Sequence, residues 1–506
     1  FTAGVGDINV RYADAGQISL YARDDTDIGA PPADTVTEII AGSGTVIVNP
    51  LAIVVEQIRR PNDSANPAGS AATAATGPSV GSGFVAAGSA FKARLRAVTW
   101  QVDGDADYSD NSTAPSFAAA VTVTPSLHSP AAGSVGNLRS ASGVANGSSV
   151  NLPSTVFSSG IAALSDWRYH QYGSFRFGGQ ASDYLQAGNH ISVSTSGVVG
   201  RFYPHYLALA EGSATPGNGT NVGCSPSFQY MDDAALAVVA EVQARGEDDA
   251  VLSNYQADWG TLASLAWSAE DDNSGTNLAS RLSGLGASWN AGIYRVDTTT
   301  AQFAKRGDAE RDGPYNSLQL ALTASGDSDG ANISGLDAAP VSAVDCVVAA
   351  SCTAKAVDTV AMRYGRLNGR NAYGSELQPL ALPLWLEYWN GSRFVVASDD
   401  NCSRVLPARL DANGQGAGNL AAIPLVGSGN TDLSLLQPVA AGQLGVSLSA
   451  PGQGNAGYLL LNVDSSTDLQ FLRDRYDGSS LQGLPELHAA FGYHRGNDRL
   501  IYREPR

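Results

Sequence analysis

The side chains best suited to bind a ligand are oxygen donors at alternate positions of an Asp-rich segment. Asp103, Asp105, Asp107 and Ser109 occupy every second position, which is the spacing of ligands in calcium-binding loops. The segment is not an EF-hand, because tyrosine stands at the sixth position, where that loop needs glycine, and alanine at the twelfth. These four side chains form the predicted metal site, with calcium as the one candidate cofactor. A shorter segment of this kind, residues 327–332, fits an Asx-rich turn equally well.

The four cysteines, Cys224, Cys346, Cys352 and Cys402, are the next residues with chemistry of their own. They include no C-x-x-C pair, and no histidine stands at zinc-finger spacing, which argues against a metal knuckle. An even and sparse set without reactive neighbours indicates disulfides formed in an oxidising compartment. Of the three possible pairings we favour Cys346 with Cys352 across a short loop, which leaves Cys224 with Cys402.

The motifs associated with catalysis occur in the wrong sequence context. A G-x-S-x-G match at residues 77–81 lies in an Ala-, Gly- and Ser-rich stretch instead of between a strand and a helix. The acidic pairs Asp271/Asp272 and Asp399/Asp400 are adjacent, so on a strand their carboxylates would face opposite sides. Glycoside hydrolysis needs two carboxylates that face the same bond. The sequence therefore predicts no catalytic residues, and a polysaccharide-active enzyme on a β fold is kept as an alternative.

An aromatic segment at residues 167–172 contains one tryptophan, two tyrosines and one histidine. Such side chains can stack on a sugar ring, but they more often pack an edge between domains. We favour packing for this segment.

Composition excludes two classes of partner. The chain has 30 basic and 48 acidic residues and a net charge of −18, which repels nucleic acid and anionic lipid. It has no apolar stretch of about twenty residues, the length that a membrane-spanning helix requires. We therefore predict neither a nucleic-acid partner nor a membrane span.

Alternation of apolar and polar residues is the dominant local pattern, and it predicts β-strands. Residues 91–98 are an example, because Phe91, Ala93 and Leu95 would face one side and the intervening basic residues the other. Residues 234–244 fit either a helix or a strand. The short strands and frequent turns predict an all-β fold of tandem immunoglobulin-like or β-sandwich domains joined by Gly/Ala/Ser/Pro-rich linkers.

Composition shifts suggest where the domains divide. The chain opens at Phe1 without an initiator methionine, and we expect it to be a processed or excised part of a longer precursor. The predicted units are a partial or first β-sandwich at 1–60, a linker at 61–88, a second β-sandwich at 89–212, a third β domain at 213–340 and a C-terminal β-sandwich at 341–506.

Eight motifs, taken in order, resemble a known family. They are YADAGQ (12–17), VGRFYPHY (199–206), FQYM (228–231), DGPY (312–315), RYGRL with NAYGSEL (363–377), EYWNG (387–391), LSAPG (448–452) and FGYHRGNDRLIY (491–502). This set resembles the C-terminal region of the MSHA biogenesis protein MshQ family, from mannose-sensitive haemagglutinin pilus loci of Gram-negative bacteria. The resemblance implies a secreted, surface-exposed protein associated with a type IV pilus, and it carries over no catalytic residue.

The leading hypothesis is a non-enzymatic extracellular surface protein that acts in type IV (MSHA-like) pilus adhesion or biogenesis. Its expected partners are pilus components or host and surface glycans. The alternative is a structural subunit that assembles with itself into an extracellular filament through edge-strand exchange.

Overall fold

The computed structural model describes residues 6–24, 39–71, 81–256, 262–307, 310–466, 468–476 and 480–492. Within these residues the regular structure is almost entirely β, which confirms the predicted all-β fold of several sandwiches. One short helix, α1 (Cys346–Ala349), accompanies the strands. The 3-10 turns of the described residues are Ser154–Val156, Tyr184–Gln186, Ala279–Arg281, Pro407–Arg409 and Gln470–Leu472. None of the helices described is long and apolar enough to cross a membrane.

A two-stranded antiparallel ribbon precedes the first sandwich. Its strands are β1 (Gly16–Asp24) and β2 (Ile39–Val48), which pair with each other and with no other strand of the described residues. Leu20, Tyr21 and Val46 of this ribbon are exposed. Neither outer edge of the ribbon is therefore paired with a strand from the described part of the chain.

The first sandwich is one ten-stranded sheet folded into two layers. Its strands are β3 (Ala52–Arg59), β4 (Phe91–Val98), β5 (Val121–Ser129), β6 (Asn137–Arg139), β7 (Val144–Asn146), β8 (Ser149–Leu152), β9 (Ile161–His170), β10 (Gly173–Ala181), β11 (Ile191–Val193) and β12 (Val199–Phe202). Their order is β6-β9-β4-β3-β11-β10-β5-β8-β7, and β12 also pairs with β10. The layers meet in an aromatic core, where Phe91 and Trp167 from one layer contact Phe177 from the other at ring-centroid distances of 6.2 and 5.3 Å.

The middle sandwich consists of two sheets. Its strands are β13 (Tyr206–Thr215), β14 (Gln229–Tyr230), β15 (Leu236–Arg245), β16 (Ser264–Asp271), β17 (Leu282–Ser283), β18 (Trp289–Asn290), β19 (Ile293–Phe303), β20 (Tyr315–Ser325) and β21 (Lys355–Arg363). One sheet has the order β13-β15-β19-β17, with β18 also on β19, and the other has the order β14-β21-β20-β16. Val238 of β15 and Leu320 of β20 are fully buried in a core that continues into the first sandwich.

The C-terminal sandwich also consists of two main sheets. Its strands are β22 (Gly365–Gly369), β23 (Ala372–Gly374), β24 (Leu380–Trp389), β25 (Phe394–Val396), β26 (Leu410–Ala412), β27 (Ile423–Pro424), β28 (Val426–Gly427), β29 (Asn430–Thr431), β30 (Leu433–Ala440), β31 (Gln443–Leu448), β32 (Gly457–Val463) and β33 (Leu487–Phe491). The sheet orders are β22-β24-β31-β30 and β23-β33-β32-β26, with β25 on β24, β28 on β32, and β27 paired with β29. Phe228 and Tyr230 of the middle sandwich are buried in the core of the C-terminal sandwich.

The sheets divide the chain at other places than composition suggests. The predicted unit at residues 1–60 would contain β3, but β3 pairs with β4 in the first sandwich. The predicted boundary at residue 212 would cut β13, which pairs with β15 in the middle sandwich. The described flanks of the predicted linker 61–88 also pack into a core, because Phe84 is buried against Phe91 and Phe202. In these described flanks, residues predicted to be a connection are part of the first sandwich.

The ambiguous segment 234–244 is a strand. Leu236, Val238, Ala240, Val242 and Ala244 are all buried and alternate with half-buried residues along β15. This period of two places one complete face in the core, whereas a helix would have distributed these residues around its axis.

Candidate functional site

The predicted calcium site is a loop whose carboxylates accept hydrogen bonds from backbone amides. Asp105 Oδ1 accepts from the Asp107 amide at 3.0 Å, and Asp107 Oδ1 from the Ser109 amide at 2.9 Å. Hydrogen bonds from Ser109 hold the pKa of Asp107 below its ordinary value. Asp103 is exposed, and Arg96 places a guanidinium nitrogen 2.7 Å from the Ser109 carbonyl. Among the described residues no group of three or more His, Cys, Asp or Glu could hold a metal ion. Calcium binding at this loop stays a prediction.

The second Asp-rich segment, 327–332, is an Asx-rich turn at the joint between the first and middle sandwiches. Asp327 Oδ1 accepts from the amides of Asp329 and Ala331 at 2.9 and 3.0 Å, and Asp327 Oδ2 from the Tyr255 hydroxyl at 2.6 Å. Burial and the Asp327 carboxylate hold the pKa of Tyr255 well above its ordinary value. Protein groups thus already bind the Asp327 carboxylate oxygens that a cation would use.

Arg201 stabilises this first joint, the contact between the first and middle sandwiches. Its Nε and Nη2 donate to the two oxygens of Asp329, both at 2.7 Å, and Nη1 donates to the carbonyls of Ser70 and Gly81. The side chains of Arg201 and Asp329 are only 1% and 4% exposed, so the bidentate pair is shielded from water. Gly200 at φ +133° brings the chain within contact of Ser174, where a Cβ would lie 2.8 Å from the serine Cβ.

Lys305 locks the second joint, between the middle and C-terminal sandwiches. Its ammonium donates to the backbone carbonyls of Gly365, Phe471 and Arg473 at 2.7–2.8 Å and lies 4.3 Å from the centroid of the Tyr364 ring. Burial lowers the pKa of Lys305 to about 7. One lysine of the middle sandwich thus satisfies three carbonyls around the C-terminal sandwich.

Asp474 is the anionic centre of the same joint and is fully buried. It accepts hydrogen bonds from Arg311 at 2.9 and 3.0 Å, from Arg366 at 3.1 Å and from the Tyr364 hydroxyl at 3.0 Å. Burial alone would raise the pKa of Asp474, but the hydrogen bonds from the arginines hold it below its ordinary value. The carboxylate is therefore ionised and shared by both sandwiches.

A disulfide also links the middle and C-terminal sandwiches. Cys224 pairs with Cys402, which is 178 positions later in the sequence, and their Cα atoms are 5.7 Å apart. Asn218 Nδ2 donates to Ser403 Oγ and Asn221 Nδ2 to the Cys402 carbonyl, both at 2.9 Å. Together with the Cys346–Cys352 bond, whose Cα atoms are 4.7 Å apart, this is the pairing that spacing favours.

The acidic pairs that were considered for catalysis have structural partners. Asp399 binds Arg363 at 2.7 Å, whereas Asp400 is buried and accepts from the Cys402 amide at 2.9 Å. Asp271 Oδ1 accepts from the Ser317 amide, and burial raises its pKa. The structure therefore does not bring the members of the Asp399/Asp400 pair together on one face. The G-x-S-x-G motif is outside the described residues except for its last glycine.

The aromatic segment 167–172 packs instead of presenting its rings to solvent. Trp167, Tyr169 and Tyr172 are each no more than 1% exposed. Tyr172 makes a T-shaped contact with Tyr255 of the middle sandwich at a centroid distance of 5.2 Å. The segment is thus part of the first joint, as the packing interpretation holds.

A groove of about 760 Å³ lies beside Lys305. Its walls carry the carboxylate of Asp271, the hydroxyls of Thr276, Ser280 and Tyr315, and the guanidinium of Arg306. Such a mixture of donors and acceptors suits a polar, hydroxyl-rich ligand.

Lys305→Met is expected to lower the stability of the second joint by about 2–3 kcal/mol, because buried carbonyls lose their donor. Since folding lowers the pKa of Lys305 to about 7 from 10.5, the unfolded chain binds more protons between these values. Wild-type stability should therefore rise with pH across that window, and the variant should lack this contribution. Urea unfolding at several pH values measures both effects. Lys92→Met, which removes a solvent-exposed pair with Asp63, is the control and should change little.

Comparison with known proteins assigns the chain to a family. Models of DUF6701 match its second domain at residues 53–155, its third domain at 171–353 and its fourth domain at 363–505. The second-domain match starts within β3, and the fourth-domain match starts at the end of β21, where the C-terminal sandwich begins. No curated protein matches the sequence. Because the three matches cover well over half of its residues in consecutive order, the chain belongs to the DUF6701 family.

Proposed function

We propose that the chain is a non-enzymatic extracellular surface protein of a Gram-negative bacterium, acting in adhesion or biogenesis of a type IV, MSHA-like pilus. The observation that carries this proposal is the locking of both joints by buried charge. Arg201 with Asp329 fixes the first joint. Lys305 on its three carbonyls, and Asp474 bound by Arg311 and Arg366, fix the second. Three sandwiches held in this way keep a constant relative orientation, as a protein that presents a binding surface away from a cell requires.

Two further observations support an extracellular location. The two disulfides need an oxidising compartment to form and persist. The motifs that resemble the MSHA biogenesis protein MshQ family include residues at the joints, such as Arg201 in the motif at 199–206. Assignment to MshQ itself is part of this proposal.

The groove beside Lys305 is the place where we expect a surface glycan to bind. The hydroxyls of Thr276 and Ser280 and the guanidinium of Arg306 can donate to sugar oxygens, and Asp271 can accept from sugar hydroxyls. A glycan array and co-sedimentation with pili test the proposal directly. The wild-type chain should bind at least one of these targets, and Ser280→Ala with Arg306→Ala should weaken glycan binding. If the wild-type chain binds no glycan, cell surface or pilus, the adhesion proposal fails.

Calcium belongs to the proposal as a ligand of the loop at Asp103–Ser109. Asp105 Oδ2 is enclosed there without a hydrogen-bond partner, and a cation would satisfy it. We expect calcium to raise the melting temperature of the wild-type chain and to have no such effect on Asp105→Asn with Asp107→Asn. A melting temperature that calcium does not change in either protein would remove calcium from the proposal.

Self-assembly is the second candidate, because the ribbon of β1 and β2 has outer edges that pair with no described strand and that a second chain could extend. Electron microscopy of concentrated protein should then show filaments. The enzyme alternative predicts turnover of alginate, chitin or another surface polysaccharide, and we expect an activity screen to be silent with and without calcium.

A further inference from the structure

A small cavity lined by oxygen-bearing side chains lies at the end of β16 in the middle sandwich. Its volume is about 120 Å³. Of the described residues, no lysine, arginine or histidine lines it. Each residue of its wall has a side-chain oxygen, and the six are Glu270, Asp272, Asn273, Ser317, Gln319 and Thr359. Such a lining suits a hard cation, which binds oxygen ligands.

Three neighbouring strands place three of these side chains in one row. Glu270 of β16 is paired with Gln319 of β20, and Gln319 is paired with Thr359 of β21. The residues on either side of Gln319 are leucines buried in the core, so the row lies on the opposite face of the sheet. The turn that follows β16 adds Asp272 to the same cavity. The sheet therefore fixes one half of the cavity and the turn supplies the other.

The carboxylate of Glu270 is the observation that points to a bound cation. Glu270 is only 4% exposed, and its Oε1 accepts a hydrogen bond from the Gly275 amide at 2.6 Å. Its Oε2 accepts no hydrogen bond from the described part of the chain. A carboxylate oxygen that is buried without a donor is costly, and a cation in the cavity that Glu270 lines would remove this cost.

Negative charge accumulates at this end of β16 without a base to balance it. Glu270, Asp271 and Asp272 are consecutive, and none of them forms an ion pair with a described residue. Burial raises the pKa of Asp271, and the neighbouring Asp272 carboxylate raises it further. The net charge of −18 likewise favours a cation over an anion at this place.

We propose that this cavity binds a magnesium ion through the carboxylates of Glu270 and Asp272. Magnesium is usually held by one or two carboxylates and keeps several of its water molecules, for which the cavity has room. The Gln319 amide and the hydroxyls of Ser317 and Thr359 can hydrogen-bond to these waters. Calcium, which takes about six to eight oxygen ligands, should bind more weakly.

The proposed site agrees with the survey of possible metal ligands given above. That survey concerns groups of three or more His, Cys, Asp or Glu, and none occurs among the described residues. Here two carboxylates act together with neutral oxygens, which is a different kind of ligand set. The site is also separate from the predicted calcium loop at 103–109, which lies in the first sandwich.

The turn after β16 also forms a wall of the groove beside Lys305. Asp271, Thr276 and Ser280 line that groove, and Asp272, which follows the first of them, lines the cavity. A magnesium ion on Asp272 would hold this wall in one position, so a glycan would lose less conformational entropy on binding. This consequence rests on the proposed function, whereas the cation site does not.

Titration with manganese, followed by electron paramagnetic resonance, tests the cation site. Manganese shares the octahedral oxygen coordination of magnesium, and its signal distinguishes bound from free ion. The parent protein for these measurements carries Asp105→Asn and Asp107→Asn, so that the loop at 103–109 does not contribute. We expect the parent to bind manganese and magnesium to displace it. A parent that binds no manganese would overturn the inference, and displacement by less calcium than magnesium would overturn the assignment to magnesium.

Single substitutions in this parent locate the ion. Glu270→Gln and Asp272→Asn should each weaken manganese binding about tenfold or more, because each removes a charged ligand. Glu211→Gln removes the same charge from an exposed ion pair of the middle sandwich, outside the cavity, and should bind manganese like the parent. Unchanged affinity in both cavity variants would overturn the inference.

Melting temperatures without divalent ions distinguish a ligand from a residue that only stabilises the fold. Glu270→Gln should then melt no lower than the parent, because it removes an unbalanced buried charge. A marked loss of stability in the absence of metal would assign Glu270 a structural role and overturn the inference.

Glycan binding with and without magnesium tests the consequence for the groove. The glycan affinity of the parent should rise with magnesium, and that of Glu270→Gln should not. An affinity that magnesium does not change would overturn the coupling between cavity and groove. If the protein binds no glycan, the proposed function fails, and the manganese titration still decides the cation site.

Discussion

Replacing Cys224 and Cys402 together with serine should lower the free energy of unfolding by about 5 kcal/mol, since the bond closes a loop of 178 residues. The stabilisation comes mainly from restricting the unfolded chain, and it grows with the length of the closed loop. Here the closed loop contains most of the middle sandwich and the start of the C-terminal one, so the loss should lower the unfolding free energy of both units.

The second disulfide supplies the matched control for this experiment. Cys346 and Cys352 are only six positions apart, and their replacement by serine should cost about 2 kcal/mol in the same treatment. Calorimetric or urea unfolding under non-reducing conditions measures both variants. Equal losses for the two pairs would contradict the expected dependence of stability on the length of the closed loop.

Arg201→Met should be the most damaging single substitution, lowering stability by about 3–5 kcal/mol because it leaves Asp329 buried without its partner. The additional loss of the donors to Ser70 and Gly81 acts in the same direction. Unfolding in urea, followed by tryptophan fluorescence, measures the change. Arg295→Met is the control, because Arg295 pairs with acidic residues on an exposed face and its removal should matter little.

A double replacement separates the buried charge from the contact itself. Arg201→Met with Asp329→Leu removes both charges, so it should recover much of the stability that the single variant loses. If the double variant is as unstable as Arg201→Met alone, the loss would arise from the backbone contacts of Arg201 and not from an unpaired Asp329.

The sequence allowed the strands to be predicted but not their grouping into sandwiches. Alternation in residues 91–98 is local information, and it correctly places Phe91, Ala93 and Leu95 in a core. The pairing of β3 with β4 is not local, because 31 residues that look like a linker lie between Arg59 and Phe91. Composition cannot distinguish small residues that pack closely from small residues that remain flexible.

The sequence contains signals for some residues of the joints, but it does not show which residues they bind. Arg201 lies in a motif, but Asp329 is 128 positions away, and nothing in a single sequence connects the two. Lys305 offered one signal, since lysine is rare in this arginine-dominated chain. Its partners are backbone carbonyls at residues 365, 471 and 473, which have no side-chain signature. The disulfides were the exception, because four cysteines allow only three pairings.

The insertion of Phe228 and Tyr230 into the C-terminal core has a consequence for how this protein can evolve. Tyr230 stacks on Phe471 at a centroid distance of 5.2 Å, and its hydroxyl binds Asp400 at 3.1 Å. A C-terminal sandwich encoded without the middle one would have a cavity in place of these two rings. A middle sandwich encoded alone would expose both rings to solvent. We therefore expect recombination to exchange the middle and C-terminal sandwiches together, as a single unit.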